Sequence, residues 1–189
     1  MPYRFLNFLE NTLVHVFNRG NNHMTLFLEP QDYNWFMQKA HKLGMQNLFW
    51  TPAWCLMPNH FHFYLKLKSE DILSEFFQRL QLAYAKYFNR KYQRSGHVFE
   101  GPFKSVFVDR EDYAIYLCRY IHLNPVKAQL VERPEDWHFS NYAELLKQNP
   151  EEFRNGFYES YFQSPAEYAD FVNGDIGDRE KNIERWLFD

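Results

Sequence analysis

Residues Leu48 to Lys68 constrain the fold more than any other stretch of this chain. Leu48 to Met57 is apolar and extended, Pro58-Asn59 turns the chain, and Phe61 to Lys68 alternates as a second strand. A strand repeats every two residues, so His60 and His62 fall on one face and Phe61 on the other. The apolar residue anchors the strand in a core and leaves two imidazoles side by side, able to reach one divalent metal. An arbitrary His-x-His is more often a hydrogen-bonded strand pair, but the strong patterning around this one favours a metal edge.

The other segments supply a partner for that strand pair. Thr12 to Asn18 reads as a strand ending at the turn Arg19-Gly20-Asn21-Asn22. Pro30-Gln31-Asp32 opens a helix carrying Trp35, Phe36 and Leu43, stopped by Gly44. Asp71 is placed to cap a helix in which Ile72, Phe76, Phe77, Leu80, Tyr84, Tyr87 and Phe88 recur at three- and four-residue spacing. Gly96 to Glu100 and Phe103 to Asp109 bracket Gly101-Pro102, a bend or hairpin leading into a strand. Asp109 can cap a helix through Tyr113, Tyr116, Leu117 and Tyr120, which Asn124-Pro125 ends or kinks, because a residue before proline avoids the α region. The order β-α-β-β-α-β predicts an α+β, ferredoxin-like (RRM-like) split βαβ sandwich, with an antiparallel sheet and helices on one face. The expected division is a body of residues 1–144 and an acidic, helical extension of residues 145–189.

Tyr120 and Asn124 are four apart and so share one face of their helix. Two imidazoles, an amide oxygen and a phenol together suggest metal-assisted phosphoryl transfer to a tyrosine. Asn124 has a compatible second role as N-cap of a short helix, Pro125 through Leu130. Tyr113 and Tyr116 read as ordinary amphipathic-helix tyrosines. His97 can approach DNA or serve as a packed or capping residue. His15, His23, His41, His122 and His138 share no spacing, and no chemistry is assigned to them.

Composition supports a polyanion as partner only when the chain is divided. The net charge of −3 conceals 15 Lys and Arg against 10 Asp and Glu in residues 1–131, a balance of +5. Residues 132–189 carry 6 against 14, a balance of −8, so the acidic end should repel DNA from a basic body. Aromatic content of 20% exceeds what one small core needs, leaving rings for base stacking as well as packing. Cys55 and Cys118 sit in apolar contexts and form no CxxC motif, which suits buried free thiols in a reducing cytoplasm. No apolar run reaches the roughly 18–20 residues of a membrane span, and the N-terminus does not read as a secretory signal.

Several ordered motifs resemble one family. Asn18-Arg19-Gly20-Asn21-Asn22, Met57-Pro58-Asn59-His60-Phe61-His62, Gly96 through Ser105, Arg119 through Lys127, and Trp137-His138-Phe139-Ser140-Asn141-Tyr142 together look like the bacterial single-tyrosine HUH transposases. The resemblance spans roughly residues 12–142 and is strongest to the REP-associated tyrosine transposases, encoded by single-copy genes linked to repeated extragenic palindromes. It implies that His60 and His62 are metal ligands, that Tyr120 is the nucleophile, and that Asn124 takes the third-ligand place where many relatives have Gln. It also implies Mg²⁺ or Mn²⁺ as cofactor and single-stranded DNA with a hairpin or palindromic repeat as partner. The cations in these motifs, Arg19, Lys104, Arg119 and Lys127, with His97, are the candidates for DNA contact. The resemblance further implies a bacterial, cytoplasmic, nucleoid-associated protein without a membrane partner, acting as monomer or homodimer. Two rivals are a binding module that kept the fold and lost the chemistry, and a zinc amidohydrolase. The second needs a barrel of about 250 residues with alternating β/α units, which this chain lacks.

Overall fold

The computed structural model describes residues 11–69, 72–108, 111–147, 153 and 157–175. Four strands, β1 (Leu13–Arg19), β2 (Phe49–Met57), β3 (His60–Leu67) and β4 (Lys104–Phe107), form one antiparallel sheet in the order β2-β3-β1-β4. Helix α1 (Pro30–Lys42) and a short α2 (Met45–Leu48) join β1 to β2. Helix α3 (Ile72–Lys91) joins β3 to β4, and α4 (Glu111–Lys127) follows. This is the expected α+β, ferredoxin-like arrangement.

Strand alternation sorts the sheet into two faces. Val14, Val16, Phe61, Phe63, Leu65 and Leu67 bury against Phe36 of α1 and Phe77, Leu80 and Tyr84 of α3. The expectation of helices on one face holds for α1 and α3 but not for α4. Its Leu117, Cys118 and Ile121 cover Ala53, Cys55 and Tyr64 on the opposite face, the face that carries the histidines. A parity argument along one strand cannot reveal that second layer.

Two further sequence expectations are settled. Of the bend or hairpin expected at Gly101-Pro102 the structure has the bend: Gly96 to Glu100 is not a strand, but Phe99 bridges Gly20, Asn21 N donates to Val98 O and Glu100 N donates to Arg19 O. Asn124-Pro125 does not end α4, and no separate helix starts at Pro125, because the proline lies in the last turn and removes only one ladder bond. The Ala128 amide still donates to the Asn124 carbonyl, and Gln129 at φ 56° closes the helix in the left-handed region. The expected caps Asp71 and Asp109 lie outside the described residues.

Buried Asp32 clamps α1 to α3. Its carboxylate accepts from the Lys91 ammonium (2.6 Å), the Tyr92 hydroxyl (2.6 Å), the Tyr87 hydroxyl (2.8 Å) and the Leu28 amide (2.9 Å). Burial pushes its pKa up, but these donors outweigh burial and hold it below the usual carboxylate value. Trp137 to Asn141 covers the β2 edge: Phe139 O accepts from Leu56 N, and the Asn141 side chain bonds Trp54 N and Pro52 O.

Helices α5 (Tyr142–Leu145) and α6 (Pro165–Asn173) complete the layer over α4. Tyr158, Tyr168 and Val172 bury in the same cluster as Cys118 and Ile121, so residues 157–175 pack as part of the body. Both cysteines are free and buried, as expected. Among the described residues no helix is long and apolar enough to cross a membrane.

Candidate active site

The site begins where β3 leaves the Pro58-Asn59 turn. His60 and His62 present their rings on the α4 side of the sheet, with centroids 5.0 Å apart, while Phe61 and Phe63 anchor the opposite face. His60 Nδ1 stands 2.7 Å from Asn59 Oδ1. An amide oxygen can only accept, so that nitrogen carries the proton and Nε2 keeps a lone pair. His62 Nδ1 stands 2.9 Å from Nε2 of His15, and His62 Nε2 is buried without a hydrogen-bond partner. Burial lowers the His60 pKa to about 4, partly offset by the acceptor oxygen of the Asn124 side chain, which favours a protonated ring. Burial, then the neighbouring His60 and His15, push His62 well below its ordinary value. Both rings are therefore neutral at pH 7, the state in which an imidazole binds a metal.

Helix α4 brings the second pair to the same place. The Tyr120 ring meets His62 edge-on, with centroids 5.7 Å apart and planes at 86°. Asn124 lies one turn on, and its Nδ2 donates to the Tyr120 carbonyl at 2.9 Å, which fixes the amide and leaves Oδ1 as acceptor. Lys127 places its Nζ 5.1 Å from the centroid of the Tyr120 ring. His60, His62, Tyr120 and Asn124 line one pocket of about 370 Å³, together with Phe17, Asn18, Arg19, His23, Asn59, Phe61, Glu100 and Lys104. Tyr113 and Tyr116 are not among these residues, and Tyr116 instead packs on Phe171.

The residues fit a divalent cation. Among the described residues no three His, Cys, Asp or Glu stand together, and Asn124 offers an amide oxygen as a third donor beside the two imidazoles. Two neutral imidazoles and an amide oxygen accept a borderline ion such as Mn²⁺ more readily than Mg²⁺, which prefers all-oxygen sites. The orphaned Nε2 of His62, a residue that lines the pocket, is the observation that most calls for such a partner.

The candidates for DNA contact divide. Lys104, paired with Phe17 across β4 and β1, is exposed at the pocket. Arg19 also lines it, but its guanidinium is held by both carboxylate oxygens of Glu100, at 2.5 and 2.7 Å. Gly20 lets the chain turn here, since a Cβ would collide with the Met24 carbonyl. Lys127 is exposed beside Tyr120. His97 is exposed in the loop before Val98 and does not line the pocket. Arg119 is a correction: only 5% exposed, its guanidinium donates to the carbonyls of Phe171 and Gly174 and ties α6 to α4. A helix turns 100° per residue, so the residue before Tyr120 faces away from the pocket.

Sequence reasoning missed His15, Phe17, His23 and Glu100. The signal for His15 lay in the alternation of β1, where Leu13, His15 and Phe17 share a face. Only the register, Phe17 opposite His62, shows that His15 is diagonal to the metal-edge histidine.

Known proteins resemble this chain. The IS200-like transposase family matches residues 10–124. A Haemophilus influenzae protein named as a REP-associated tyrosine transposase is 30% identical over 128 residues, covering 61% of this chain and 72% of the relative. A solved structure of a REP-associated tyrosine transposase bound to a REP hairpin shares the fold at a TM-score of 0.59 and 23% identity, over 76% of this chain and 83% of that one. The chain belongs to the IS200-like transposases, in the family of REP-associated tyrosine transposases.

Proposed function

We propose that this protein cuts and rejoins single-stranded DNA beside hairpins of the palindromic-repeat type, using Mg²⁺ or Mn²⁺ and a covalent 5′-phosphotyrosine intermediate. The observation that carries the reading is the convergence of Tyr120 from α4 with His60 and His62 from β3 in one pocket. Support for the hairpin comes from the relative solved with a REP hairpin and from the cations at the pocket mouth.

The Tyr120 Oη loses its proton and forms a bond to phosphorus as the bond from phosphorus to the 3′ oxygen breaks. The departing oxygen takes a proton and becomes a free 3′-hydroxyl, while the 5′ side stays esterified to the enzyme. Number and type of phosphoester bonds are conserved, so a 3′-hydroxyl can reverse the step and join strands without ATP. A phenol with an ordinary pKa near 10 is protonated at neutral pH, so the attack needs its proton removed, and the Lys127 ammonium stands 5.1 Å from the ring centroid. A divalent ion held by His60, His62 and Asn124 would withdraw charge from the scissile phosphate and orient it for in-line attack. Asn124 also keeps the helix turn that carries Tyr120 fixed through its bond to the Tyr120 carbonyl. Lys104 offers a cation to the phosphates, and the Arg19 guanidinium becomes available when a phosphate displaces Glu100.

The test is incubation with a hairpin oligonucleotide carrying a single-stranded flank, with Mn²⁺, followed by denaturing electrophoresis. A protein–DNA adduct that needs metal and disappears in Tyr120→Phe supports the reading. Hairpin binding without any adduct, under all metal conditions, would make the chain a binding module.

A further inference from the structure

We propose that His15 is a positioning residue for metal binding: its Nε2 accepts the Nδ1 proton of His62, so that the His62 Nε2 lone pair faces the pocket. This rests on the reading of His60 and His62 as ligands and adds a second layer behind them. His15 is fully buried on β1, diagonal to His62 across the sheet, with the two nitrogens 2.9 Å apart. A bond between two ring nitrogens holds one proton, so its position decides which atom His62 shows to the pocket. With the proton on His62 Nδ1, the pocket receives a lone pair. With the proton on His15 Nε2, it receives an N–H that no cation can approach. The metal-competent arrangement is the one in which His15 accepts.

Packing leaves the His62 ring little other freedom. It lies nearly parallel to the His15 ring, with centroids 5.1 Å apart at 12°, and to Phe17 at 6.0 Å and 28°. Tyr120 closes its remaining side edge-on. Rotation of the ring by half a turn would exchange Nδ1 and Cδ2 and break the bond to His15, so the same contact fixes both orientation and tautomer. His15 Nδ1 has no hydrogen-bond partner. Among the described residues the buried ring is thus tied to the protein's polar groups through His62 alone, which is what a residue serving His62 requires.

Two variants and one spectrum test this. His15→Phe keeps the stacked ring and removes the acceptor, whereas His15→Gln keeps a carbonyl oxygen that can accept from His62 Nδ1. Binding of Mn²⁺ alone, read from the free-ion electron paramagnetic resonance signal without DNA, should weaken about 10- to 100-fold in His15→Phe and recover most of that in His15→Gln. Long-range proton–nitrogen correlation spectra of the Mg²⁺-loaded wild-type protein should show His62 protonated at Nδ1 and bare at Nε2. Equal Mn²⁺ affinity in wild type and His15→Phe, equal losses in both variants, or an Nε2-protonated His62 would overturn the role of His15 while leaving His60 and His62 as ligands. A wild-type protein that binds no Mn²⁺ would overturn the ligand reading and this role together.

Discussion

The Tyr120 ring stands edge-on to the His62 imidazole, centroids 5.7 Å apart and planes at 86°, although one residue belongs to α4 and the other to β3. The contact exists because α4 crosses the sheet face opposite α1 and α3. It joins the nucleophile and the metal edge in one pocket, and the following predictions test its parts.

Removal of the Tyr120 hydroxyl should reduce covalent attachment by at least about a thousandfold, because among the described residues no other tyrosine lines the pocket. Hairpin affinity in Tyr120→Phe should stay within a few-fold of wild type, measured by fluorescence anisotropy. Adduct lost only in Tyr116→Phe would move the nucleophile one turn back along α4.

Replacement of His60 or His62 by Ala should abolish metal-supported cleavage, as should excess EDTA. The apolar anchors Phe61, Phe63 and Leu65 remain, so the domain should stay folded by circular dichroism. Undiminished cleavage in the double variant would remove the metal from the account.

Arg119 and Lys104 should behave oppositely despite their like charge. Arg119→Ala removes buried hydrogen bonds to Phe171 and Gly174 and should cost roughly 1–3 kcal/mol of stability, with the salt dependence of DNA binding unchanged. Lys104→Ala should leave the urea midpoint alone and reduce the log–log salt slope by about 0.7, as expected for one single-strand phosphate contact. Glu100→Gln releases Arg19 and should tighten binding several-fold at low salt, since the exposed pair contributes at most about 1 kcal/mol to stability.

Acid should destabilise the fold well above the range where carboxylates titrate. Burial lowers His15 to about 3 and His60 and His122 to about 4, whereas the unfolded chain takes up those protons near pH 6.5. A depressed folded pKa means the unfolded state binds more protons between the two values. Stability is then full above about pH 6.5 and falls as pH drops toward 4, by about 1.4 kcal/mol per pH unit for each such histidine. Urea midpoints that stay constant from pH 7.5 to 5.0 would contradict this.

Much of this was legible in local pattern. The two strands around Pro58-Asn59, the helix from Ile72 and the Tyr120–Asn124 spacing follow from periods of two and 3.6 residues. What could not be read was anything set by the packing of distant elements. The side of the sheet covered by α4, and therefore the burial of Arg119, depends on a crossover. His15 becomes meaningful only through the register that brings it beside His62. Helix α4 runs past Pro125 because neighbouring turns hold it, overriding the local bias of an Asn-Pro pair. The acidic extension also reads differently once residues 157–175 pack on α4. Truncation after Leu146 would uncover Cys118 and Ile121 and should lower stability.

The most direct measurement is the site and polarity of the covalent link. A hairpin oligonucleotide with a single-stranded flank, labelled in separate reactions at its 5′ and 3′ ends, is cut in the presence of Mn²⁺, and the protein is digested for peptide mass spectrometry. The account predicts that the protein keeps the label on the 3′ side of the cut, through a phosphate on Tyr120, and that the other fragment ends in a 3′-hydroxyl. A link to another residue, a 3′-phosphotyrosine, or cleavage with no protein attached would contradict it.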